Sequence, residues 1–343
     1  MTIKDIAREA GYAVGTVSRV LNNNPNVSAS ARERILDVVR KHNFQPNANA
    51  KHLKLQASSG ISLIVKGTQN MLFAPILESM QALIERHGYV SMIDYIDEEA
   101  NEVEQANLIC HERKPHGIVF LGSNLEYFTP QLEELGIPCV LVTNSAAALD
   151  ISNLSSVSVD DAAAAASMID YLFAHGHRHI DVIGSRPETS RPSFARLAGC
   201  RQAFSRHKLH FDPDIQYGYA RFSMEGGYRA MEWLLAHDPG MTAVFTMSDL
   251  MAMGALRALQ DHGLRVPQDI SVTGYDGLAL ASYCIPRLTS IRQNADRLAA
   301  RGIEILLHGI EEGSSAVHEI VPFELLRGES VRALPCPPAV STP

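Results

Sequence analysis

From residue 61 onward, short apolar runs alternate with longer amphipathic stretches, and few folds accommodate that alternation. Strand-length runs separated by helix-length stretches predict βα units, which build parallel sheets with helices on both faces. The runs fall into two sets, which predicts two similar lobes and a ligand cleft at the carboxyl ends of the strands. The runs are 61–65, 90–95, 117–121 and 139–143 in the first set, and 180–184, 215–219, 243–246 and 270–274 in the second.

The first 45 residues show a different pattern, in which apolar residues recur at helical spacing over three short segments. Thr2 and Asp5 have the spacing of a capping box for the first segment, which ends at Gly11. The second segment runs from about 14 to 22, and a serine can cap a third that continues to about 42. Helices this short are not stable alone in water, so we expect the three to pack together as an all-α head.

The formal charge is divided unevenly between these two parts of the chain. The protein has a net charge of −8, yet residues 1–55 contain nine Lys and Arg against four Asp and Glu, a net charge of +5. The remaining residues therefore have a net charge of −13. Only the head has the charge that displaces counterions from DNA phosphates, and the acidic body should be repelled by DNA.

The rest of the sequence favours a cytoplasmic protein without a membrane partner. The chain begins without an apolar run behind basic residues, so we expect no signal peptide. No segment approaches the length of about 18 apolar residues that a membrane span needs. The five cysteines are scattered and odd in number, which is typical of reduced thiols rather than of disulfides.

Several strings in both parts resemble the lactose-repressor/galactose-repressor (LacI/GalR) family of bacterial transcription regulators, from about residue 2 to 330. The resemblance implies an all-α helix-turn-helix head, joined by a hinge helix to an α/β two-lobed periplasmic-binding-protein-like body with two parallel doubly wound sheets. In the head the strings are TIKDIAREAG at 2–11, GTVSRVLN at 15–22 and PNANAKHL at 46–53. In the body they are GHRHI at 176–180, RLAG at 196–199, SDLMAMG at 248–254, VPQDISVTGYD at 266–276 and PRLTSIRQ at 286–293.

The same resemblance implies the domain boundaries. The helix-turn-helix domain is expected at 1–45, the hinge helix and linker at 46–60, and the effector-binding and dimerisation body at 61–332. Within the body, the expected ranges are about 61–160 and 291–320 for the N-lobe and about 161–290 for the C-lobe. The Pro-rich residues 333–343 predict a disordered tail.

The resemblance identifies the second helix as the recognition helix, which enters the major groove of DNA. Val14, Gly15 and Arg19 align with the base-contacting positions of the family. Arg19 can donate two hydrogen bonds to a guanine, which is worth about 1–3 kcal/mol of discrimination. Four further polar residues are suitable phosphate ligands, although Thr16 and Ser18 have simple solvation as an alternative. These four residues are Thr2, Thr16, Ser18 and Asn22.

The head departs from the family pattern at three positions. Ala13 stands where the family usually has a serine that caps the second helix, and a missing cap costs about 1 kcal/mol. Phe44 stands where tyrosine is common, which removes a hydroxyl contact with phosphate. Asn49 stands where an apolar residue is frequent, which weakens the expected packing between hinges.

Residues 47–55 match the hinge helix of the family, which pairs with the hinge of a second subunit in the minor groove. Leu53 takes the position of the apolar wedge that kinks the central base step, and Ala50 and Lys51 support it. The alternative is a flexible linker, which is also the expected state without DNA because the segment has little apolar surface to bury.

Effector residues in the cleft follow from the same alignment. Arg196 and Asp276 align with an arginine and an aspartate that bind ligand, and such a pair can bind adjacent hydroxyls of a sugar. The alternative for Asp276 is a carboxylate that serves only a turn.

Four further residues complete the expected effector site. Phe222 aligns with an aromatic residue that stacks on the ligand, with core packing as the alternative, and Phe73 offers an apolar wall from the other lobe. Ser248 stands where asparagine is commoner, and Thr143 is a candidate at a strand end.

Two other patterns suggest chemistry but have simpler interpretations. His175, His177 and His179 alternate, yet a glycine interrupts them, so we favour a helix end followed by a strand start over a metal site. Asp160 and Asp161 fit a helix cap better than an acid–base pair. The sequence has no phosphate-binding glycine loop and no evident nucleophile–base set, so we predict no catalytic, metal or cofactor site.

These patterns predict a nucleoid-associated transcriptional repressor that binds a palindromic double-stranded operator as a homodimer. A small effector, a sugar or sugar phosphate with a nucleobase as the alternative, would bind in the interlobe cleft and shift the lobe orientation. One alternative function is that of a transport-type carbohydrate-binding protein, against which the head and the missing signal peptide argue. The other is an enzyme, for which catalytic groups are lacking.

Overall fold

The computed structural model describes residues 2–21, 27–42, 44, 60–67, 70–188, 190–313 and 315–335. The chain separates into two units, Met1–Ser58 and Ser59–Pro343. The first unit contains the predicted helical head, and the second contains the predicted α/β body. None of the helices in the described ranges combines the length and the hydropathy of a membrane span.

The head is a cluster of three helices, as predicted. Ile6, Val17 and Ile35 are fully buried at its centre. Apolar residues three to four positions apart share one face of a helix, so each helix contributes a stripe to this small core. The helices are α1 (Ile3–Ala10), α2 (Val14–Leu21) and α3 (Ala29–Lys41).

Local hydrogen bonds fix where two of these helices begin and end. The Thr2 N–H and hydroxyl both donate to the Asp5 carboxylate, at 2.9 and 2.8 Å, so the carboxylate half of the predicted capping box is present. Gly11 ends α1 in a left-handed conformation, with φ of 77°, which glycine adopts without a steric penalty. The Ser28 hydroxyl accepts the Ala31 N–H at the start of α3.

The body begins with the strands and helices of the first lobe. They are β1 (Gly60–Lys66), α4 (Phe73–Arg86), β2 (Val90–Ile96), α5 (Glu102–Arg113), β3 (Gly117–Leu121), β4 (Cys139–Val142) and β5 (Leu154–Ser158). Both β3 and β4 are buried along their whole length. Central strands of a parallel sheet are covered on both faces, which explains why they appear in the sequence as continuous apolar runs.

The second lobe repeats the alternation, and the predicted strands at 180–184 and 243–246 are confirmed as β6 and β8. A 3₁₀ turn, Ala279–Ser282, precedes the last of the ten elements. The elements are α6 (Asp161–Ala174), β6 (Ile180–Gly184), α7 (Arg191–Arg206), α8 (Pro213–Gln216), β7 (Tyr217–Tyr219), α9 (Met224–His237), β8 (Ala243–Thr246), α10 (Asp249–Asp261), β9 (Ser271–Asp276) and β10 (Thr289–Gln293).

The chain then returns to each lobe once more. α11 (Ala295–Glu312) packs in the core of the first lobe, β11 (His318–Ile320) joins the first sheet, and β12 (Phe323–Leu326) joins the second. Each sheet has six strands, in the orders β11-β5-β4-β3-β1-β2 and β12-β10-β9-β8-β6-β7. Every pairing is parallel except that of β10 with β12. The predicted architecture of two doubly wound sheets is therefore confirmed.

The lobe boundaries differ from the sequence prediction. The prediction assigns 291–320 to the N-lobe, but β10, which ends at Gln293, pairs with β9 in the second sheet. β12 also belongs to the second sheet, so the described chain passes between the lobes three times. The sequence prediction contains the first two of these passages, near residues 160 and 290, but not the third, because the sheet that β12 joins depends on its tertiary partners.

The predicted disordered tail is wrong for its first residues. The Leu334 N–H donates to the His175 carbonyl at 2.7 Å. A β-carbon on Gly176 would lie 2.6 Å from the Leu334 carbonyl oxygen, so the two segments are in close contact. Residues 333–335 therefore lie against the turn after α6, and residues 336–343 are outside the described ranges.

Parallel pairing brings the carboxyl ends of the strands in each sheet to one edge. In the first sheet, Thr143 follows β4 directly. In the second sheet, Ser248 follows β8 and Asp276 is the last residue of β9. These three effector candidates thus lie at strand ends, on the side of each sheet where ligands of such folds bind.

Candidate DNA interface and effector site

The candidate base-reading residues lie on the outer side of α2. Val17 and Val20 point into the core of the head, whereas Val14, Gly15 and Arg19 are exposed. Val14 keeps 41% of its surface exposed although it is apolar. This face of α2 therefore presents an arginine, an apolar side chain and an open backbone position to solvent.

The start of α2 lacks a side-chain cap. The Ala13 carbonyl accepts the N–H groups of Thr16 and Val17, at 2.9 and 3.2 Å, which puts Ala13 at the N-cap position. Its methyl group cannot accept a further N–H, whereas the hydroxyl of Ser28 does so at the start of α3. Packing of the α2 core residues must therefore hold the first turn of this helix.

The phosphate candidates occupy two surroundings. Thr2 is exposed, and its hydroxyl proton is used in the bond to Asp5, so it must rotate away to donate to a phosphate. Thr16 and Ser18 are half-buried on α2. The fourth phosphate candidate, Asn22, lies outside the described residues. The three minor-groove candidates of the hinge, Ala50, Lys51 and Leu53, also lie outside them.

Arg196 is the centre of a buried polar cluster in the second lobe and is only 5% exposed. Its Nε donates to Asp161 Oδ1 at 2.8 Å, and its Nη1 donates to the Met247 carbonyl at 2.6 Å. The guanidinium lies 3.6 Å above the centre of the Tyr275 ring, and the Tyr275 hydroxyl donates to the same Asp161 oxygen at 2.6 Å. Arg196 is thus fixed in position, and the described bonds use two of its five N–H donors.

Asp276 ends β9 beside this cluster and is 5% exposed. Burial raises the pKa of its carboxyl group to about 6, against the opposing effects of Arg196 and of the hydrogen bond from Gln293. Gln293 Nε2 donates to Asp276 Oδ1 at 2.8 Å, whereas the buried Gln293 Oε1 has no hydrogen-bond partner among the described residues. A buried acceptor without a donor is costly, and this oxygen can still accept a hydrogen bond.

Two of the effector candidates have left-handed backbones. Thr143 has φ of 81° and Asp276 has φ of 102°, a conformation that costs a residue with a side chain about 1–3 kcal/mol. Such strain is common at ligand sites, because the surrounding structure must hold it in place. Thr143 directly follows β4 in the first lobe, and Asp276 is the last residue of β9 in the second.

Ser248 and Asp249 hold the start of α10 and the segment after β9. The Ser248 hydroxyl accepts the Met251 N–H at 3.2 Å. The buried Asp249 carboxylate accepts the Ser290 hydroxyl and the Leu278 N–H, each at 2.6 Å. Burial, followed by the nearby Asp276 carboxyl group, raises the pKa of Asp249 well above its usual range.

The aromatic candidates lie at different depths. Phe73 is buried at the start of α4, and a β-carbon on Gly122 would lie 2.6 Å from its ring. Leu250 and Leu278 of the second lobe belong to the same apolar cluster as Phe73, so this cluster joins the two lobes. Phe222 is half-buried and packs against the core of the second lobe. The core-packing alternative therefore describes part of its side chain.

Sequence reasoning missed four residues of this cluster. Asp160 caps α6 as predicted, accepting the Ala163 N–H at 2.9 Å, and this leaves Asp161 for Arg196. The two consecutive aspartates could have indicated a second role for Asp161, since one carboxylate is sufficient to cap a helix. The other missed residues, Asp249, Tyr275 and Gln293, lie within strings that resemble the family but carried no separate signal.

Two family models match the chain. Residues 2–47 match bacterial regulatory proteins of the lacI family, and residues 169–331 match the periplasmic binding protein-like domain. These matches define the class as a helix-turn-helix regulator with a periplasmic-binding-protein-like body.

Similarity to individual proteins extends over the whole chain. The HTH-type transcriptional regulator MalR of Clostridium butyricum is 31% identical over 333 residues, which cover 96% of this chain and 99% of MalR. The HTH-type transcriptional repressor CytR of Escherichia coli K12 is 32% identical over 339 residues, 97% of either chain. The structure of the transcriptional regulator CelR with cellobiose matches at a TM-score of 0.72 and 26% identity, covering 96% of this chain and 99% of CelR. The protein therefore belongs to the LacI family of bacterial regulatory proteins.

The buried Asp276 carboxyl group should make the stability of the body depend on pH. Its pKa is about 6 in the folded protein and about 3.9 in an unfolded chain, so the folded state loses stability as the pH rises from about 4 through 6. Asp276→Asn removes this charge. We compare the free energies of unfolding of Asp276→Asn and wild type by urea unfolding at two pH values. The difference, variant minus wild type, should be about 1 kcal/mol more positive at pH 7.5 than at pH 5, because only the wild type loses stability over this range.

A matched control for this measurement is Asp214→Asn, which changes an exposed carboxylate of the same lobe. Its effect should be the same at both pH values. Equal effects of Asp276→Asn at pH 5 and 7.5 would contradict the raised pKa of Asp276.

Proposed function

We propose that the protein is a transcriptional repressor that binds a palindromic operator as a homodimer and responds to a sugar in the interlobe cleft. The observation that carries the proposal is the unsatisfied Gln293 Oε1 beside Asp276, in a chain that also presents Arg19 on an exposed recognition helix. The unpaired Gln293 oxygen can accept a hydrogen bond from a ligand hydroxyl, and the exposed Arg19 can donate hydrogen bonds to DNA bases. We further propose a cytoplasmic location and no catalytic activity.

The polar groups of the cluster suit an uncharged sugar. Asp276 and Gln293 offer acceptors, and Arg196 offers donors, a combination that can bind neighbouring hydroxyls. Arg196 is balanced by Asp161, so the ionised Asp276 leaves a net negative charge of one. This charge favours a sugar over a sugar phosphate, and the complex of CelR with cellobiose supports the same ligand class.

Ligand binding can change the arrangement of the lobes because the site draws on strand ends in both. Arg221 of the second lobe forms ion pairs with Glu98 and Glu99 of the first, at 3.0 and 3.2 Å. These pairs are exposed and contribute little energy, so they do not lock the lobes. A ligand with higher affinity for one lobe arrangement shifts the population toward it, and we propose that Ala50, Lys51 and Leu53 transmit this shift to the DNA minor groove.

An exposed apolar pair supports the homodimer. Tyr283 and Ile285 are 86% and 96% exposed although both are large and apolar. Large exposed apolar side chains two positions apart in the chain can contribute to an interaction surface. A second copy is the proposed partner, because twofold dimers are the commonest assemblies and a palindrome has the same symmetry.

A serine–histidine pair in the first lobe gives no support to an enzyme. The Ser156 hydroxyl lies 2.9 Å from His318 Nδ1, as in a nucleophile–base pair. Ser156 is only 1% exposed, however, and its oxygen also accepts the Ala146 N–H at 3.0 Å. A substrate cannot reach this hydroxyl, so the pair joins two strands of the sheet.

Arg19→Ala should relax base preference, because it removes the side chain that can donate twice to guanine. The operator is first selected from random DNA with the wild-type protein. Fluorescence anisotropy then compares binding to this operator with binding to guanine-substituted versions, and discrimination should fall by about 1–3 kcal/mol.

The control for this prediction is Arg34→Ala, which removes a positive charge from the exposed side of α3. It should change binding to all sequences by the same factor. Unchanged discrimination by Arg19→Ala would refute its role in reading bases, and failure of the wild type to bind any sequence preferentially would favour the transport-type function.

Asp276→Ala should keep operator binding and lose the sugar response. Thermal-shift screening of a carbohydrate panel on the wild type identifies the ligand. Because hydrogen bonds to charged groups contribute about 1.5–3 kcal/mol, calorimetry should show affinity lowered by about 10- to 100-fold. Asp214→Asn should bind the sugar like wild type, and a normal response of Asp276→Ala would show that the effector site is elsewhere.

Ile285→Asp should prevent dimerisation, because a carboxylate would be buried in the proposed interface. Sedimentation equilibrium should show a dimer for wild type and a monomer for the variant. Ile215→Asp alters another exposed isoleucine, 44% exposed on α8, and should remain dimeric. A dimeric Ile285→Asp protein would remove this surface from the proposed interface.

A further inference from the structure

A second polar cluster lies at the opposite end of the second sheet from the effector candidates. His179 directly precedes β6, Asp181 is its second residue, and Asp238 follows the last residue of α9. The amino ends of parallel strands meet here, whereas Ser248 and Asp276 lie at the carboxyl ends. The cluster is therefore separate from the proposed sugar site.

The three side chains converge on one point. His179 Nε2 and Asp238 Oδ2 are 2.6 Å apart, and one ligand atom from each of the three residues lies within 4.8 Å of the others. Donors around a tetrahedral zinc are about 3.4 Å apart, given bond lengths of about 2.1 Å, so a small adjustment brings all three to one ion. The His179 side chain is 42% exposed, which leaves a route from solvent.

Asp181 is the feature that the rest of the fold does not explain. Its side chain is fully buried, and neither carboxylate oxygen has a hydrogen-bond partner among the described residues. The neighbouring Gln216 amide donates one N–H to the Ile180 carbonyl and accepts the Asp212 N–H, so its second N–H is the remaining amide donor near Asp181. Two buried carboxyl groups this close cannot both stay ionised by themselves, so either one of them holds a proton or a cation joins them.

We propose that His179, Asp181 and Asp238 bind one first-row divalent cation, with zinc as the preferred ion. An imidazole nitrogen and two carboxylates are three protein ligands, which leaves a fourth position for water. The nitrogen ligand favours zinc over magnesium or calcium, which prefer sites made of oxygen alone. The ion would join the start of β6 to the end of α9 and so stabilise the base of the second lobe.

The two other histidines of the alternating run do not belong to this site. His175 Nδ1 lies 2.8 Å from the Tyr171 carbonyl at the end of α6. His177 is buried, with its two ring nitrogens at hydrogen-bonding distance from the Thr242 hydroxyl and the Arg332 carbonyl. The prediction of a helix end followed by a strand start is thus confirmed for the run, and only His179 meets carboxylates.

The test is titration of EDTA-treated full-length protein with zinc chloride in excess magnesium chloride, followed by calorimetry and thermal unfolding. Wild type should bind one zinc per chain at this site and melt at a higher temperature when it is present. Asp181→Asn and His179→Gln should each lower zinc affinity by at least about tenfold, since even outer-shell partners of a metal change affinity by about 10- to 100-fold.

The matched control is His262→Gln, which removes a surface histidine 3.9 Å from Glu232 and outside the cluster. It should bind zinc like wild type. Anomalous diffraction at the zinc edge from wild-type crystals tests the position without any variant. A peak at the cluster supports the proposal, whereas a peak only elsewhere, or equal zinc binding by Asp181→Asn and wild type, overturns it.

Discussion

Parallel strand pairing determines where the chemistry of this protein can lie. The strands of each sheet run in one direction, apart from β12, so polar residues that follow them collect at one edge of each lobe. Thr143, Ser248 and Asp276 are far apart in sequence but share this placement. The three passages of the chain between the lobes then connect the two edges, so a ligand held by both can alter their relative arrangement.

The buried polar cluster around Arg196 and Asp276 combines compensated and uncompensated charges. Arg196 is paired with Asp161 and stacked on Tyr275, which compensates for removing its charge from water. Burial raises the pKa of Asp276, and the opposing effects of Arg196 and Gln293 do not cancel that rise. The cluster therefore has both unused N–H donors, on Arg196, and an unpaired acceptor, Gln293 Oε1, and hydroxyl groups of a ligand can pair with both. A site of this kind gains stability when it is occupied.

The head depends on few interactions because it is small. Six buried apolar residues form its centre, and α2 begins at Ala13 without a side-chain cap. Exposed ion pairs, such as that of Lys41 with Glu9, link α3 to α1 but contribute little. The orientation of Arg19 thus follows from the packing of Val17 and Val20, the buried residues of the same helix.

The sequence by itself determined the two-part organisation, the three head helices and most strands of the body, since apolar periodicity and turn residues are local signals. Resemblance supplied the expected roles of Arg19, Arg196 and Asp276. Only the tertiary structure decided that β10 and β12 join the second sheet, and that residues 333–335 pack against the turn after α6. The pairing of Asp161 with Arg196, and the meeting of Asp181 with Asp238, likewise required it. Contacts between residues distant in sequence depend on how the elements pack together, and no local pattern records that geometry.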